Sequence, residues 1–153
     1  MTGHEGRETT MNVKAILSTK GSEVITIAPT ATLEEAIAVL TKNRIGAVVV
    51  LGPEQRVIGI LSERDIVRAL SEHGADALKH PLSQTMTRIV VTCGEGDTIS
   101  EIMERMTRGR FRHVPVLEQD RLIGIISIGD VVKQRLGEME QESEQLRDYI
   151  QTA

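Results

Sequence analysis

The chain has 153 residues and a mass of 16.8 kDa, which is room for one ordinary domain or two small ones. Its net charge is −4, and it contains one phenylalanine, one tyrosine and no tryptophan. Nucleic-acid binding as the main role is therefore disfavoured, because the chain has no excess of positive charge and only two aromatic side chains on which bases could stack. The single cysteine, Cys93, excludes an intrachain disulfide, and no apolar run approaches the ~18 residues of a membrane span. We expect a cytoplasmic protein without a membrane segment.

The first predicted elements are a short strand and a helix. The strand covers Val24–Ile27, and the helix begins after Thr32, which forms a Thr-x-x-Glu capping box with Glu35. The apolar residues that follow at helical spacing are Leu33, Ala36, Ile37 and Leu40.

Two strands and a second helix come next. Ala47–Leu51 is short, apolar and rich in β-branched residues, which is typical of a buried strand. A polar turn over residues 52–55 leads to a strand at Val57–Leu61, and a helix is predicted after Ser62. The order of elements is β-α-β-β-α.

The same order recurs about 65 residues later. Gly59, Ser62 and Asp65 return as Gly124, Ser127 and Asp130. The other repeated elements are strands at Ile89–Thr92, Val114–Leu117 and Leu122–Ile126, a capping box of Thr98 and Glu101, and a helix after Ser127. Such self-similarity indicates a repeat architecture.

The repeat predicts an α/β (α+β) fold of two β-α-β-β-α units. One unit of about 50 residues would be marginal alone, so we expect the two to pack with pseudo-two-fold symmetry and to form two equivalent clefts. The predicted segments are a flexible N-terminus over 1–11, a first repeat over 12–73, a second repeat over 82–136 and a C-terminal helical extension over 137–153.

The boxes Ser62/Asp65 and Ser127/Asp130 open the second helix of each repeat. One interpretation is a helix cap with an acidic residue in the first turn. The other is a ligand site, in which free amide groups of the helix start receive a phosphate and the aspartate accepts the diol of a ribose. The two interpretations can coexist, because the cap holds the same atoms in place.

Cationic residues precede the two buried strands: Arg44 in the first repeat, and Arg110, Arg112 and His113 in the second. They are either solvated charges or phosphate ligands, since the guanidinium fork suits phosphate. Arg112 and Arg64, which lies inside the first box, are the arginines that we favour for phosphate.

The end of the chain continues the last helix with a heptad-like pattern. The residues of this pattern are Val132, Leu136, Met139, Ser143, Leu146 and Ile150. The pattern is short, so the helix either packs back on its own domain or forms a dimer contact.

The doubled repeat resembles a tandem CBS-domain protein, or Bateman module, of the small stand-alone bacterial type. The motifs that carry the resemblance are the doubled Gly-Ile-(Leu/Ile)-Ser-x-x-Asp and the segment Arg-Phe-Arg-His-Val-Pro-Val over 110–116. The resemblance implies a non-enzymatic energy-sensing module that regulates an unidentified protein, forms a homodimer and needs no obligatory cofactor. Its ligands would be AMP, ADP, ATP, NAD(H) or S-adenosylmethionine.

The resemblance also implies site residues. The aspartate of each box would hold ribose, the serine and nearby basic groups would meet phosphate, and the first strand and the buried strand would frame adenine. The implied nucleotide-binding residues are Thr26, Arg44, Ile45, Gly46, Ala47, Ser62, Arg64, Asp65, Thr92, Arg110, Arg112, His113, Val114, Pro115, Ser127 and Asp130.

Two other functions compete with the sensor. The first is a scaffold whose boxes are only helix caps and which binds no ligand. The second is an RNA-associated module that uses Arg105, Arg108, Arg110 and Arg112, which the net negative charge disfavours. We find no phosphate-binding glycine loop, no metal-ligand spacing and no catalytic set, so we expect neither an enzyme nor a metal site.

Overall fold

A computed structural model describes residues 12–152, and the predicted flexible N-terminus over 1–11 lies outside them. The helices are α1 Val13–Lys20, α2 Leu33–Asn43, α3 Glu63–His73, α4 Ile99–Gly109 and α5 Ile128–Thr152. The strands are β1 Thr26–Ile27, β2 Ala47–Leu51, β3 Val57–Ser62, β4 His113–Glu118 and β5 Arg121–Ser127. The fold is therefore of the predicted α+β class.

The chain divides into two compact units. The Asp65 unit comprises Glu23–Thr92 and Glu118–Ile123. The Asp130 unit comprises Cys93–Leu117 together with the described residues up to Ser22 and from Gly124 onwards. Each unit is named after the aspartate of the box that it contains.

The Asp65 unit holds a three-stranded sheet in the order β1-β2-β3. β1 runs parallel to β2, and β2 runs antiparallel to β3 with Ala47 opposite Ser62. This register brings the start of β2 next to the start of α3. Apolar residues of the sheet and its helices form the core, which includes Leu33, Leu40, Val48, Val50, Leu61, Ile66 and Leu82.

The Asp130 unit keeps the same pairing in shorter form. β4 and β5, most of whose residues belong to this unit, form a two-stranded sheet, and Cys93 makes a parallel bridge to Val116. That bridge is the counterpart of the Ile27–Val50 pair in the first repeat. Buried residues of this unit include Val13, Ile16, Ile99, Ile102, Val114, Ile126 and Val131.

The predicted strand at Ile89–Thr92 is wrong. Only Cys93 pairs in this region, and Ile89 is 89% exposed. The segment just before Ile89 pairs with another strand, because Thr87 exchanges two backbone hydrogen bonds with Ile60 of β3. The first strand is likewise shorter than the predicted Val24–Ile27, since only Thr26 and Ile27 meet β2.

The first helix of each repeat ends in the same unusual way. Thr32 caps α2 and Thr98 caps α4 by accepting a hydrogen bond from the amide three residues later. The Glu101 side chain also accepts from the Thr98 amide, which completes the predicted capping box in α4, whereas for α2 the described bond from a backbone amide is the one that Thr32 accepts. The residue after each helix, Arg44 or Arg110, adopts the left-handed conformation with φ of 54° or 58°. These two arginines therefore have a structural role in turning the chain towards β2 and β4.

None of the helices within residues 12–152 combines the length and the apolar character that crossing a bilayer requires.

Candidate functional site

Both Ser-x-x-Asp boxes are helix caps. Ser62 Oγ accepts a hydrogen bond from the Asp65 amide (3.3 Å), and Asp65 Oδ2 accepts one from the Ser62 amide (2.9 Å). In the second box the matching distances are 3.2 Å and 2.8 Å between Ser127 and Asp130. The capping interpretation therefore holds for both repeats, and it fixes each aspartate at the start of its helix.

Each cap lies against the entrance of the preceding buried strand. The Glu63 amide donates to the Gly46 carbonyl oxygen (3.0 Å), and the Ile128 amide donates to the Arg112 carbonyl oxygen (2.8 Å). The repeat thus brings the cationic segment of the second repeat to its box. The prediction of free amides is wrong for two groups of each helix, because the first and third amides already donate within the protein.

The carboxylate of Asp65 is enclosed and fully engaged. Its side chain is 7% exposed. Besides the cap, it accepts from Arg68 Nη2 (3.0 Å) and from Thr87 Oγ1 (3.2 Å). Thr87 belongs to the segment that follows the 3-10 turn Leu82–Gln84. Asp65 therefore ties that segment to α3, and a ribose would have to displace Thr87 to reach it.

The carboxylate of Asp130 is more open, with 24% of its side chain exposed. Among the described residues its contacts other than the cap come from Lys20, whose Nζ lies 2.5 Å from Oδ2 and 2.7 Å from the Ile125 carbonyl oxygen. Burial raises the pKa of Asp130, but hydrogen bonds from Lys20 and Ser127 outweigh it and hold the pKa below its usual value. The carboxylate is therefore ionised at neutral pH and accepts hydrogen bonds.

A cavity of about 440 Å³ opens beside Asp130 in the Asp130 unit. Its size lies within the ~300–1,000 Å³ that small-molecule sites occupy. It is lined by Ile16, Thr19, Lys20, Asp130, Lys133, Gln134, Gly137, Glu138 and Gln141. Two lysines, two carboxylates and two amides give it donors and acceptors for a polar, phosphorylated ligand.

Glu138 is the least expected residue of this cavity wall. Its side chain is 7% exposed, one oxygen accepts from Arg135 Nη1 (3.2 Å), and within the described chain the other, Oε1, has no hydrogen-bond partner. A buried acceptor without a donor is costly, so a ligand hydroxyl or amine that reached it would relieve that cost.

The other implied residues are distributed between the two units. Ala47, Val114 and Pro115 are buried in strands, while Thr26, Arg44, Arg64, Arg110 and Arg112 are exposed, and Ile45, Gly46, Thr92 and His113 are partly buried. Thr92 falls in the Asp65 unit, whereas Arg110, Arg112 and His113 fall in the Asp130 unit. The buried strand residues contribute core packing rather than an open wall.

No local sequence pattern indicated Lys20, which lies 110 residues before Asp130. Thr87 was not indicated by the sequence either, because each of these two residues lies in one predicted repeat and contacts the aspartate of the other. The glycine of the motif has a related role. A Cβ at Gly59 would lie 2.5 Å from Met86 Sδ, and one at Gly124 would lie 2.6 Å from Leu17 Cδ2. In each unit, therefore, the motif glycine and the motif aspartate hold the same packed segment.

The cysteine thiol is unreactive, and two of the arginines are paired with carboxylates. Cys93 is buried, and burial, followed by the nearby charge of Asp97, raises the pKa of its thiol to about 12. A thiol of that pKa is protonated at neutral pH and is a poor nucleophile. Of the arginines that the RNA interpretation requires, Arg105 pairs with Asp97 (3.1 Å) and Arg108 pairs with Glu104.

The repeats match a known family. The sequence model of the CBS domain matches residues 13–72 and 82–137, which is more than half of the chain. The chain belongs to the CBS domain family. This agrees with the resemblance of the doubled motif to a small stand-alone tandem CBS protein.

Three proteins illustrate what this CBS pair is similar to in sequence and structure. The CBS-domain containing protein ATU1752 from Agrobacterium tumefaciens is 48% identical with a TM-score of 0.80, over 82% of this chain and 94% of that one. The CBS domain pair of protein MJ0100, crystallised with 5′-methylthioadenosine and S-adenosyl-L-methionine, is 25% identical with a TM-score of 0.74, over 83% and 97% of the two chains. The mitochondrial CBS domain-containing protein CBSX3 of Arabidopsis thaliana is 33% identical over 78% of this chain, which spans only 60% of that protein's length.

Proposed function

We propose that this CBS pair is a non-enzymatic regulatory module that binds an adenosyl ligand, with Asp130 as the ribose acceptor of its main site. The observation that carries the proposal is the ionised, partly exposed Asp130 carboxylate on the wall of a cavity that also presents Lys20 and Lys133. The adenosyl ligands of the MJ0100 pair support the ligand class. The candidates are AMP, ADP, ATP, NAD(H) and S-adenosylmethionine.

The chemistry of the cavity fits the parts of a nucleotide. The hydrogen bonds described for the Asp130 carboxylate fall on Oδ2, and the diol of a ribose would bond to Oδ1 or replace Lys20. If the ribose displaced Lys20 from Asp130, the ammonium group of Lys20 would stay close to the ligand. The phosphate of the ligand would then attract both Lys20 and Lys133. Glu138 would accept a hydrogen bond from a hydroxyl or an amine of the ligand.

The ligand would signal by releasing α1. Lys20 ties the last turn of α1 to Asp130 and Ile125 at the other end of the chain's sequence. Exchange of that tie for ligand contacts would shift the population of states in which α1 is docked, provided that the ligand binds one state more tightly. The regulated protein would recognise that difference.

For the first box, Ser62/Asp65, the contacts favour a structural role over ligand binding. Asp65 is enclosed and bonded to Thr87 and Arg68, so we propose that the first box is chiefly a structural clasp and binds ligand more weakly than the second box. The scaffold function would then apply to one repeat and the sensor function to the other. The implied phosphate ligands Arg64 and Arg112 stay part of the proposal, as exposed cations next to the two boxes.

A ligand-and-residue cycle tests the ribose contact. Calorimetry would compare AMP with 2′-deoxy-AMP on nucleotide-free protein and on Asp130→Asn, which keeps an acceptor for the cap. A hydrogen bond to a charged group contributes about 1.5–3 kcal/mol, so we expect the wild-type protein to prefer AMP at least about tenfold. Asp130→Asn should lose that preference, and hydrogen exchange of α1 should rise with AMP only in the wild-type protein.

The matched control is Asp148→Asn, which removes the same charge from the exposed part of α5. It should keep both the affinity and the preference of the wild-type protein. If no adenosyl ligand binds nucleotide-free protein, or if Asp130→Asn binds AMP as the wild type does, the site proposal fails and the scaffold function gains support.

A further inference from the structure

The distal part of α5 is exposed to solvent over the described residues. Every residue from Met139 to Gln151 is exposed, whereas Val131 and Glu138 earlier in the helix are buried. The predicted alternative of packing back on its own domain therefore does not apply to this part. An isolated helix of this length is only marginally stable in water, so a partner that covered its apolar face would stabilise it.

One face of this helix is apolar. Spacings of four and three residues separate Val132, Leu136, Met139, Ser143, Leu146 and Ile150. Leu136, Leu146 and Ile150 are 54%, 59% and 64% exposed. We call these six residues the seam. They occupy alternating d and a positions of a heptad, with Leu136, Ser143 and Ile150 at a.

The seam points away from the body of the Asp130 unit. The buried residues of α5, Val131 and Glu138, fall at the c position, on the opposite side of the helix from a and d. The same helix can therefore pack on its own unit and present the seam to a second molecule. The seam extends over fewer than three heptads, but its first turns are already fixed by the fold.

The charges beside the seam select the partner and its direction. In a parallel pair, a g residue meets the e residue five positions later on the other helix. Glu142 would then meet Arg147 of the second copy, and Arg135 would meet Glu140. In an antiparallel pair with the same apolar overlap, Glu142 would face Glu142, Glu140 would face Glu140 and Lys133 would face Arg147, so the contacts between charged residues would be repulsive.

We propose that the seam of α5 pairs with the seam of a second copy of this chain as a parallel two-stranded coiled coil. The polar Ser143 at a central a position costs stability but helps to fix the register. This contact is independent of the ligand site, since none of the seam residues lines the cavity beside Asp130. It gives the homodimer that the family resemblance implies a defined surface and direction.

Disulfide cross-linking of the full chain tests the direction. Ile150→Cys lies at an a position near one end of the seam, so its thiol meets its own counterpart only in a parallel pair. We expect a covalent dimer under mild oxidation. Asp148→Cys, at the outward f position of the same turn, is the matched control and should stay largely monomeric on a denaturing gel.

Charge reversal tests the register in the Ile150→Cys background. Glu142→Arg and Arg147→Glu should each reduce cross-linking several-fold, because each creates two like-charge contacts per dimer. A mixture of the two variants should recover it as the heterodimer, in which both contacts are attractive again. Glu144→Arg carries the same charge change at the b position and should leave cross-linking unchanged.

Two results would overturn the proposal. One is cross-linking of Ile150→Cys no greater than that of Asp148→Cys, which would assign the seam to another protein or to no partner. The other is cross-linking that ignores the charge reversals. Neither measurement involves nucleotide, so failure here leaves the ligand-site proposal unaffected.

Discussion

The two Ser-x-x-Asp boxes share one hydrogen-bonded cap but differ in what surrounds the carboxylate. Asp65 is enclosed by Thr87 and Arg68, while Asp130 meets one lysine and a cavity. The same four-residue motif thus produces a clasp in one repeat and an accessible acceptor in the other. The difference comes from the segments packed against the motif rather than from the motif itself.

The largest expected effect that separates the boxes is on stability. Asp65→Ala removes the half of the capping box in which Asp65 accepts from the Ser62 amide, and it leaves Thr87 and Arg68 without a charged acceptor, so we expect a loss of about 3 kcal/mol. Asp130→Ala loses the same half of its box and a partly exposed ion pair, which together amount to about 1–2 kcal/mol. Urea unfolding of both variants measures the difference.

Asp76→Ala is the control for this comparison, because it removes an exposed aspartate from the Asp65 unit. Its free energy of unfolding should match that of the wild type. Equal losses for Asp65→Ala and Asp130→Ala would show that the cap alone sets the energetics, and the distinction between clasp and acceptor would be wrong.

The elements that recur in both repeats could be predicted from the sequence. The strands β2 and β3, the caps at Thr32 and Thr98 and the two boxes follow from local patterns of apolar residues and capping residues, which do not depend on distant parts of the chain. The contacts of Lys20 with Asp130 and of Thr87 with Asp65 could not be predicted in this way. They join a repeat to a segment outside its own repeat, and no local periodicity records such a pairing.

The motif glycines offer a second comparison of the units. Gly59→Ala would place a methyl group against both Met86 and the Thr87 carbonyl oxygen, which lies 3.1 Å from the ideal Cβ. Gly124→Ala would meet only the flexible end of Leu17. Overpacking costs about 1–3 kcal/mol, and we expect Gly59→Ala near the upper end and Gly124→Ala near the lower.

Thermal unfolding measures these losses, with Gly96→Ala as the control, since nothing lies within 4 Å of a Cβ at Gly96. In a double-mutant cycle, Met86→Ala should cancel only part of the cost of Gly59→Ala once the loss caused by Met86→Ala alone is subtracted, because the methyl group would still meet the Thr87 carbonyl oxygen. A Gly59→Ala protein as stable as the wild type would mean that the segment carrying Met86 and Thr87 shifts freely, and the clasp would not be rigid.

The smallest expected effect is the pH dependence of the stability that Asp130 of the second box contributes. The pKa of Asp130 is held below its usual 3.8 although burial raises it, because Lys20 and Ser127 donate to the carboxylate. The stabilisation is therefore complete above pH 3.8 and disappears as the pH falls through the folded-state pKa. Lys20→Met should cost less than about 1 kcal/mol at neutral pH, as expected for a partly exposed pair.

In strong acid, the stability difference between Lys20→Met and the wild type should shrink, because Asp130 is then protonated in both and the remaining loss is the hydrogen bond of Lys20 to the Ile125 carbonyl oxygen. Lys14→Met removes an exposed lysine from the same helix and is the matched control, with no such pH dependence expected. Urea unfolding across the acid range checks both variants. A difference between Lys20→Met and the wild type that persists unchanged in acid would mean that Lys20 acts by packing rather than by its charge. In that case the apolar contacts of α1, rather than the ion pair of Lys20 with Asp130, would hold α1 in place, and ligand signalling would have to act on those contacts.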